Sequence, residues 1–484
     1  MRNRIMVKRT TLLVTLTLSL SGCIVSRVDP GPPELPLPDA LPPQDATVSA
    51  LPDPWWTIFN DSSLDALIEE ALAHNPDVTI AAARVAEARA IARIANADRL
   101  PFLNIEGTAT RTKDPSFLTE SVGQDRHQTL YNVQGVVGYE LDFWGRYQRA
   151  SQSARAQLLS TQYGREATKL SLTGEVARSY FGLIAAAEQL ARARDTLASR
   201  DESVRIERLR LDAGESDEFT FKRAEAEAAA TRVAAHQLEL EVVRRTNALG
   251  VLLGRSPKDL IDNAVATQGI SLPQPATLPE ALPSSVLERR PDVGAAQAAL
   301  IAAAADVGAA RAQLFPSITL TGAFGSLSPE LDDLFKEPFE AWSAVGGLLQ
   351  PIFQGGRLRA NVARTEALRE QRRAEYARTV QVAFRDVLDA LRGQQLIASV
   401  RAANAEQVAS LSRATELAEL RYGQGDIAYL DLLDVRRGLY QSEMDLVAAE
   451  RDELLNTVDL ALALGGGLGA HAESLAEIPR AARR

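Results

Sequence analysis

The chain has 484 residues, enough for two or more globular domains or for one elongated body. Hydrophobic residues make up 46% of it but aromatic residues only 5%, so the apolar content is mostly Ala, Leu and Val, which favours closely packed helices. The net charge of -10 argues against nucleic acid as a partner, because phosphate binding needs a clustered basic face.

The first 22 residues have the features of a secretory signal. Their basic residues are Arg2, Arg4, Lys8 and Arg9. An apolar run follows that is too short to span a membrane, and it ends at Cys23, the only cysteine of the protein. Residues 1–22 therefore resemble a bacterial lipoprotein signal peptide, in which Cys23 would carry the lipid. An ordinary signal peptide with a chance cysteine is the alternative.

Residues 23–54 are predicted to be an anchor and a tether. Ile24, rather than aspartate, follows the cysteine, and in the lipoprotein pattern of enterobacteria this favours sorting to the outer membrane. The segment contains nine prolines, which predict an extended conformation with little helix or sheet. A folded body is predicted from Trp55, where Asp61 or Ser62 can cap a helix.

The strongest organisational signal is an internal repeat. The stretch that begins at Asn75 aligns without a gap on the stretch that begins at Arg290, and the same offset pairs Pro101 with Pro316. A constant offset over this length indicates a tandem duplication.

The predicted halves, residues 55–256 and 286–467, repeat one order of elements. In each half an Ala-rich helix is followed by residues that alternate between apolar and polar side chains, which is the period of a strand with one apolar face. Strands are predicted at about 102–113, 130–142, 317–327 and 341–352. A long run without proline follows each pair of strands and predicts a long helix, which breaks at a glycine turn, Gly214 or Gly425.

The predicted strands have the length and the two faces of membrane β-barrel strands, although a soluble sheet packed on helices would show the same alternation. Four strands cannot close a barrel, and open sheet edges do not occur in lipid. If these strands span a membrane, several chains must therefore pool them. The long helical runs are too highly charged to cross a membrane themselves.

Asp431 and Asp434 stand three residues apart after the second glycine turn, a spacing that puts both on one face of a helix. A metal site or an acid–base pair would use such carboxylates, and an ordinary solvated face with Arg437 would contain them too. The histidines are scattered without ligand spacing, and no catalytic motif accompanies them. They are His74, His127, His236 and His471. The residues alone favour the solvated face and predict no catalytic residue, no metal site and no cofactor.

Five stretches, taken in chain order, carry a family resemblance. They are WWTIFNDSSLDALIEEALAHNPDV (55–78), LPEALPSSVLERRPDV (278–293), FPSITLTGAFG (315–325), FQGGRLRA (353–360) and RYGQGDIAYLDLLDVRRGLY (421–440). The set is similar to the outer-membrane factor family, the TolC-like exit ducts of tripartite efflux pumps, and within it to the lipoprotein branch that includes OprM. The resemblance covers about residues 55–467.

The resemblance implies a fold class: an α+β membrane protein with duplicated halves, each a strand hairpin plus long helices. It implies a homotrimer in which a 12-stranded β-barrel in the outer membrane continues as a periplasmic α-helical barrel. Residues 257–285 between the halves and the C-terminal tail, residues 468–484, would contribute to an equatorial belt around the helices.

The resemblance also implies a gate at the periplasmic end of the duct. Asp431 and Asp434 would form rings of charge there, and Leu430 would form an apolar constriction. Tyr422 and Arg437 would bond between neighbouring helices, with Arg437 also placed to pair with Asp434. The glycine turns would meet the periplasmic adaptor through Gly214, Glu215, Ser216, Gly423, Gly425 and Asp426.

The function implied is a passive exit duct for small toxic compounds, drugs or similar, in the outer membrane of a Gram-negative bacterium. Its partners would be two further copies of itself, a periplasmic adaptor (membrane fusion) protein, an inner-membrane transporter of the RND type or similar, and outer-membrane lipid. A type I protein secretion duct is one alternative. A coiled-coil lipoprotein that only spaces the envelope is another alternative. Neither of these proteins would be an enzyme.

Overall fold

The computed structural model describes residues 52–113, 127–262, 271–273 and 289–466. The predicted signal peptide, Cys23, most of the tether, most of the linker between the halves and the C-terminal tail lie outside these residues. The described part contains the helices and strands of both predicted halves.

The elements repeat in the same order in both halves. The first half contains α1 (Ser62–His74), α2 (Pro76–Ala97), β1 (Phe102–Lys113), β2 (His127–Leu141), α3 (Arg146–Asp212) and α4 (Glu218–Leu252). After the short α5 (Pro257–Asp262), the second half contains α6 (Pro291–Ala312), β3 (Ser317–Ser328), β4 (Glu340–Leu349), α7 (Arg357–Gln424) and α8 (Tyr429–Ala463). The prediction of duplicated halves, each with a strand hairpin and long helices, is confirmed.

Contacts within the chain divide it into two compact units, and each unit draws on both halves. Val85–Thr161 and Ala296–Ala377 belong to the first unit, which contains the whole sheet. Gln162–Ala295 and Arg378–Arg484 belong to the second unit, which contains both glycine turns.

The sheet of the first unit is antiparallel, with the strand order β1-β2-β3-β4. Its register pairs Leu103 with Val137, Val137 with Gly322, and Gly322 with Ala344, so each face is continuous across all four strands. One face is apolar and carries Leu103, Ile105, Val133, Val137, Tyr139, Leu320, Phe324, Trp342 and Leu348. The other face is rich in polar side chains, including Asn104, Glu106, Thr108, Gln134, Thr319, Thr321 and Ser343.

The two observed hairpins differ from the predicted strand limits by a few residues. β2 begins at His127 rather than at about residue 130. β4 ends at Leu349 rather than at about residue 352, because Pro351 has no N–H to donate to a ladder.

The junction between β2 and α3 is fixed by side chains of the first unit. Trp144 stacks on Phe315 with ring centroids 4.8 Å apart, and its indole N–H donates to the carbonyl of Pro316 at 2.7 Å. The Asp142 carboxylate accepts the backbone N–H of Gln148 at 2.7 Å, which caps the first turn of α3. The end of one hairpin is therefore bonded to the beginning of the other.

The main apolar core lies in the second unit. Its fully buried side chains include Trp55, Leu64, Ile68, Tyr180, Phe181, Leu249, Leu253 and Leu454. Asp61 caps α1 by accepting the backbone N–H groups of Ser63 and Leu64 at 2.8 and 3.2 Å. The same carboxylate accepts the hydroxyl of Tyr180 at 2.8 Å, so the cap also joins α1 to α3.

One helix of the described residues, α6, is long and apolar enough to cross a membrane by length and composition. Half of its most apolar window is buried inside the structure. An Ala-rich core helix has the same composition, so this property alone does not indicate a membrane span.

Candidate gate site

The two glycine turns end their helices in the same way. Gly214 and Gly425 have φ angles of +75° and +83°, in the left-handed region that favours glycine. The N–H of Glu215 donates to the carbonyl of Arg210 at 2.8 Å, and in the second turn Asp426 donates to Arg421 at 2.9 Å. These bonds satisfy carbonyls at the helix ends, so the glycines have a structural role in addition to any role in binding.

Tyr422, near the end of α7, is bonded to a buried carboxylate on α3. Its hydroxyl donates to Glu207 at 2.6 Å, and Glu207 is only 1% exposed. Ser216 donates to the other carboxylate oxygen at 3.2 Å, and Arg210 lies 3.3 Å away. Burial and the bond to Glu207 raise the pKa of Tyr422. This cluster ties the second half of the chain to the first.

Arg437, on α8, is bonded to a second buried carboxylate, Glu227 on α4. Its Nε donates to Glu227 at 2.9 Å. Arg200 of α3 approaches the other oxygen of Glu227 at 3.7 Å, and this arginine is only 3% exposed. Burial lowers the pKa of Arg200, and among the described residues its Nη1 has no hydrogen-bond partner. Glu227 therefore neutralises an arginine from each half.

Within one chain Arg437 is bonded to Glu227 rather than to Asp434, and its pairing with Asp434 of an adjacent helix stays a prediction. The bond to Glu227 is the main reason that the pKa of Arg437 is raised, and Asp434 adds only a weaker electrostatic attraction. The physical reason is position: Glu227 is a largely buried acceptor, whereas Asp434 is exposed three residues away on the same helix.

The remaining predicted gate residues lie on the exposed side of the first two turns of α8. Leu430 is 42% exposed, and Asp431 and Asp434 are also exposed. One oxygen of Asp431 accepts the backbone N–H of Ala428 at 3.2 Å, which closes this turn. The next residues, Leu432 and Leu433, are buried on the opposite side. The structure thus separates a packed face from a face that carries two carboxylates and a leucine.

Sequence reasoning missed Glu207, Glu227 and Arg200. Each lies in a long helix where charged residues recur, and each has a partner more than twenty residues away in the chain. No local spacing marks such residues, because their neighbours on the same helix resemble a solvated face. The only signal is indirect: Glu207 and Arg200 belong to the helix that precedes the first glycine turn.

Within the described ranges, no group of three or more His, Cys, Asp or Glu side chains could hold a metal ion. His74 contacts the carbonyl of Glu70 at 3.0 Å, and His236 lies 3.4 Å from Glu239. Both contacts are local to one helix.

The arrangement of a strand hairpin, a long helix and a returning helix, present twice, is shared with known proteins. The family model described as "Outer membrane efflux protein" matches residues 67–255 and 282–466. The chain belongs to the outer membrane efflux protein family. Each matched range covers most of one half of the duplication.

Relatives within the family agree over almost the whole chain. The cation efflux system protein CusC of Escherichia coli is 33% identical over 457 residues, which are 93% of this chain and 97% of the relative. The solvent efflux pump outer membrane protein SrpC of Pseudomonas putida is 34% identical over 410 residues, 84% and 86% of the two chains. A crystal structure of CusC has a TM-score of 0.81 at 31% identity and covers 90% of this chain and 98% of that one. The protein is therefore the outer-membrane channel of a tripartite efflux pump and not an enzyme.

Proposed function

We propose that the efflux channel is a homotrimer in which three four-stranded sheets close one twelve-stranded barrel. The observation that carries this proposal is the sheet itself, which has an exposed apolar face and two free edges, β1 and β4, in the described chain. Leu103, Ile105 and Trp342 on that face are 72%, 83% and 78% exposed. Such a face is stable against lipid, and its free edges must be paired there, because lipid cannot hydrogen-bond a backbone.

The gate of this duct is formed by the exposed turn at the beginning of α8. In a threefold assembly Asp431 and Asp434 each become a ring of three carboxylates, and Leu430 becomes an apolar ring beside them. The bonds from Tyr422 to Glu207 and from Arg437 to Glu227 hold this turn against the first half of the chain. Opening requires that these interactions are broken or exchanged, which makes the interface a two-state element.

A periplasmic adaptor and an inner-membrane transporter of the RND type or similar supply that opening energy. The adaptor contacts are the two glycine turns, with Gly214, Glu215 and Ser216 in one turn and Gly423, Gly425 and Asp426 in the other. The cargo is a small toxic compound. The names of the relatives cover cations and solvents, so the inner-membrane partner sets the choice of cargo.

Cys23 anchors the mature chain to outer-membrane lipid, with the body extending into the periplasm. The sequence pattern around Cys23 supports this step. Metabolic labelling with a palmitate analogue should label the wild type and fail to label a Cys23→Ser variant. Equal labelling of both would exclude Cys23 as the lipid site.

Single-channel conductance in planar bilayers tests the gate. We expect a small conductance for the purified wild type and a larger one for Asp431→Ala/Asp434→Ala, because the two carboxylate rings are removed. Asp445→Ala, which removes an exposed carboxylate farther along α8, is the matched control and should behave as wild type. Unchanged conductance in the double variant would place the gate elsewhere, and a folded protein without any conductance would favour an envelope spacer.

A further inference from the structure

The polar face of the sheet carries an isolated carboxylate, Glu106. It lies in the middle of β1, is exposed, and pairs in register with Gln134 of β2. Asn104 and Thr108, its neighbours on the same face of the strand, are neutral. Among the described residues the side chain of Glu106 forms neither an ion pair nor a hydrogen bond.

None of the four described strands places a cation on this face. The basic residues of the described strands outside His127 are Arg111 and Lys113, and their odd numbers put them on the same face as Leu103. On the described strands the other carboxylate of the polar face is Glu140, which Arg146 contacts at 2.9 Å and to which the Tyr147 hydroxyl donates at 3.0 Å.

The charge of Glu140 is therefore compensated within the chain and the charge of Glu106 is not. Because the apolar face of a membrane barrel lies against lipid, the polar face lines the lumen. Glu106 is the uncompensated charge that the described strands present to the solution inside the barrel.

We infer that Glu106 is a charge-selecting residue of the barrel lumen, favouring cations and solutes with a cationic group over small anions. The inference rests on the proposed homotrimer, in which three copies of Glu106 form one ring. It is separate from the gate, because Asp431 and Asp434 belong to the second compact unit and Glu106 to the first.

The size of a twelve-stranded barrel makes such a ring effective. Strands about 4.8 Å apart and tilted by about 40° give a backbone radius of about 12 Å, and a glutamate side chain reaches about 4 Å inward. The carboxylates then lie about 8 Å from the axis, within the Debye length of about 10 Å at 0.1 M salt. Their field covers the whole cross-section, enriching cations and depleting anions.

The test is the reversal potential of single channels in a KCl gradient near 0.1 M. Two variants, Glu106→Gln and Asn104→Gln, are made in the Asp431→Ala/Asp434→Ala background, so that the gate carboxylates do not contribute to the selectivity. In Glu106→Gln the permeability ratio of K⁺ to Cl⁻ should fall about threefold or more, because the ring loses its charge. Asn104→Gln, on the same face of the same strand, changes the side chain without changing charge and should leave the ratio unaltered.

Two further measurements make the result specific. Gln134→Glu adds a second carboxylate beside Glu106 and should raise the ratio. In 1 M KCl, where the Debye length is about 3 Å, the difference between Glu106→Gln and its background should disappear.

Conducting channels whose reversal potential is the same with and without Glu106 would overturn the assignment of Glu106 and leave the duct intact. A folded sample of the background protein that does not conduct would instead overturn the duct, and the inference with it.

Discussion

Glu207 is a carboxylate with almost no contact with water, and its oxygens are contacted by Tyr422, Ser216 and Arg210. Tyr422→Phe removes the 2.6 Å bond, and a hydrogen bond to a charged group contributes about 1.5–3 kcal/mol. Because this bond joins α7 to α3 at the proposed gate, we expect Tyr422→Phe to increase the open fraction of single channels. The measurement is open probability in planar bilayers at neutral pH.

Tyr440→Phe is the control for this change. Tyr440 is a half-buried tyrosine on α8, and its side chain has no hydrogen bond among the described residues. Its replacement should leave the open probability at the wild-type value. An open probability that is equal in both variants would show that the Tyr422 bond does not hold the gate closed.

Glu227 makes a second residue-level prediction, on stability. Glu227→Gln leaves Arg200, which is 3% exposed, as an uncompensated buried charge, and the expected cost is about 3–5 kcal/mol. Arg437→Gln should lower the stability by about 1 kcal/mol or less, because the Arg437 side chain is half exposed and Glu227 still pairs with Arg200. Thermal unfolding followed by circular dichroism should therefore give a much lower midpoint for Glu227→Gln. Equal unfolding midpoints for Glu227→Gln and Arg437→Gln would mean that water compensates the charge of Arg200.

These residues also show what the sequence could predict at the candidate site. The spacing of Asp431 and Asp434 predicted that both lie on one helix face, and the structure has both exposed in the first two turns of α8. The partner of Arg437 could not be predicted, because Glu227 is 210 residues away and only the packing of α8 on α4 brings them together. A local rule placed Asp434 within reach of Arg437, but within one chain Arg437 bonds to Glu227.

At the scale of the element, α1 depends on its N-cap. Asp61 was one of two cap residues that the sequence allowed, and the structure has Asp61 in that position. Asp61→Ala should destabilise the protein by about 1–2 kcal/mol through the lost cap. A further cost is expected because Tyr180, which is 1% exposed, loses the acceptor of its hydroxyl.

The measurement is the midpoint of thermal unfolding, compared with that of Asp77→Ala. Asp77 lies in the first turn of α2 and is exposed, so its removal should have a small effect. Tyr180→Phe should recover part of the loss in the Asp61→Ala background, since no buried hydroxyl is then left without an acceptor. No recovery would contradict a role for the bond between Asp61 and Tyr180.

The strands show how far the faces of a single element can be predicted from its sequence. The faces of β1 and β3 follow from alternation alone, because Leu103, Ile105 and Leu320 share parity with their apolar neighbours. Alternation does not reveal the faces of β4, because Val345 on its polar face is as apolar as the side chains on its apolar face. Pairing of Trp342 with Phe324 settles the register, and pairing is a property of the sheet rather than of one strand.

At the scale of the whole molecule, β1 and β4 are the edges of the sheet in the described part of the chain. The duplication and the long helices could be predicted from the sequence, but the number of copies came only from the resemblance. β1 and β4 run in opposite directions, as the antiparallel order requires, so β4 of one copy can pair with β1 of the next. Three such joints close a ring of twelve strands.

Engineered disulfides test this closure directly. In a Cys23→Ser background, which has no other cysteine, Thr108→Cys on β1 is combined in turn with Ala341→Cys, Ser343→Cys or Val345→Cys on β4. All four positions lie on the polar face, and three successive positions on that face of β4 sample the unknown register between copies. At least one pair should give, on oxidation in membranes, covalent dimers and trimers on a denaturing gel.

The pattern of bands separates a closed ring from other assemblies. Thr108→Cys combined with Ala344→Cys is the control, because Ala344 lies on the opposite face and the two Cβ atoms cannot approach the separation of about 4 Å that a disulfide needs. Since each copy has one β1 and one β4 edge, a threefold ring stops at trimers. A ladder that continues beyond three copies would indicate an open array, and bands in the control alone would indicate that the sheet faces are reversed at the joint.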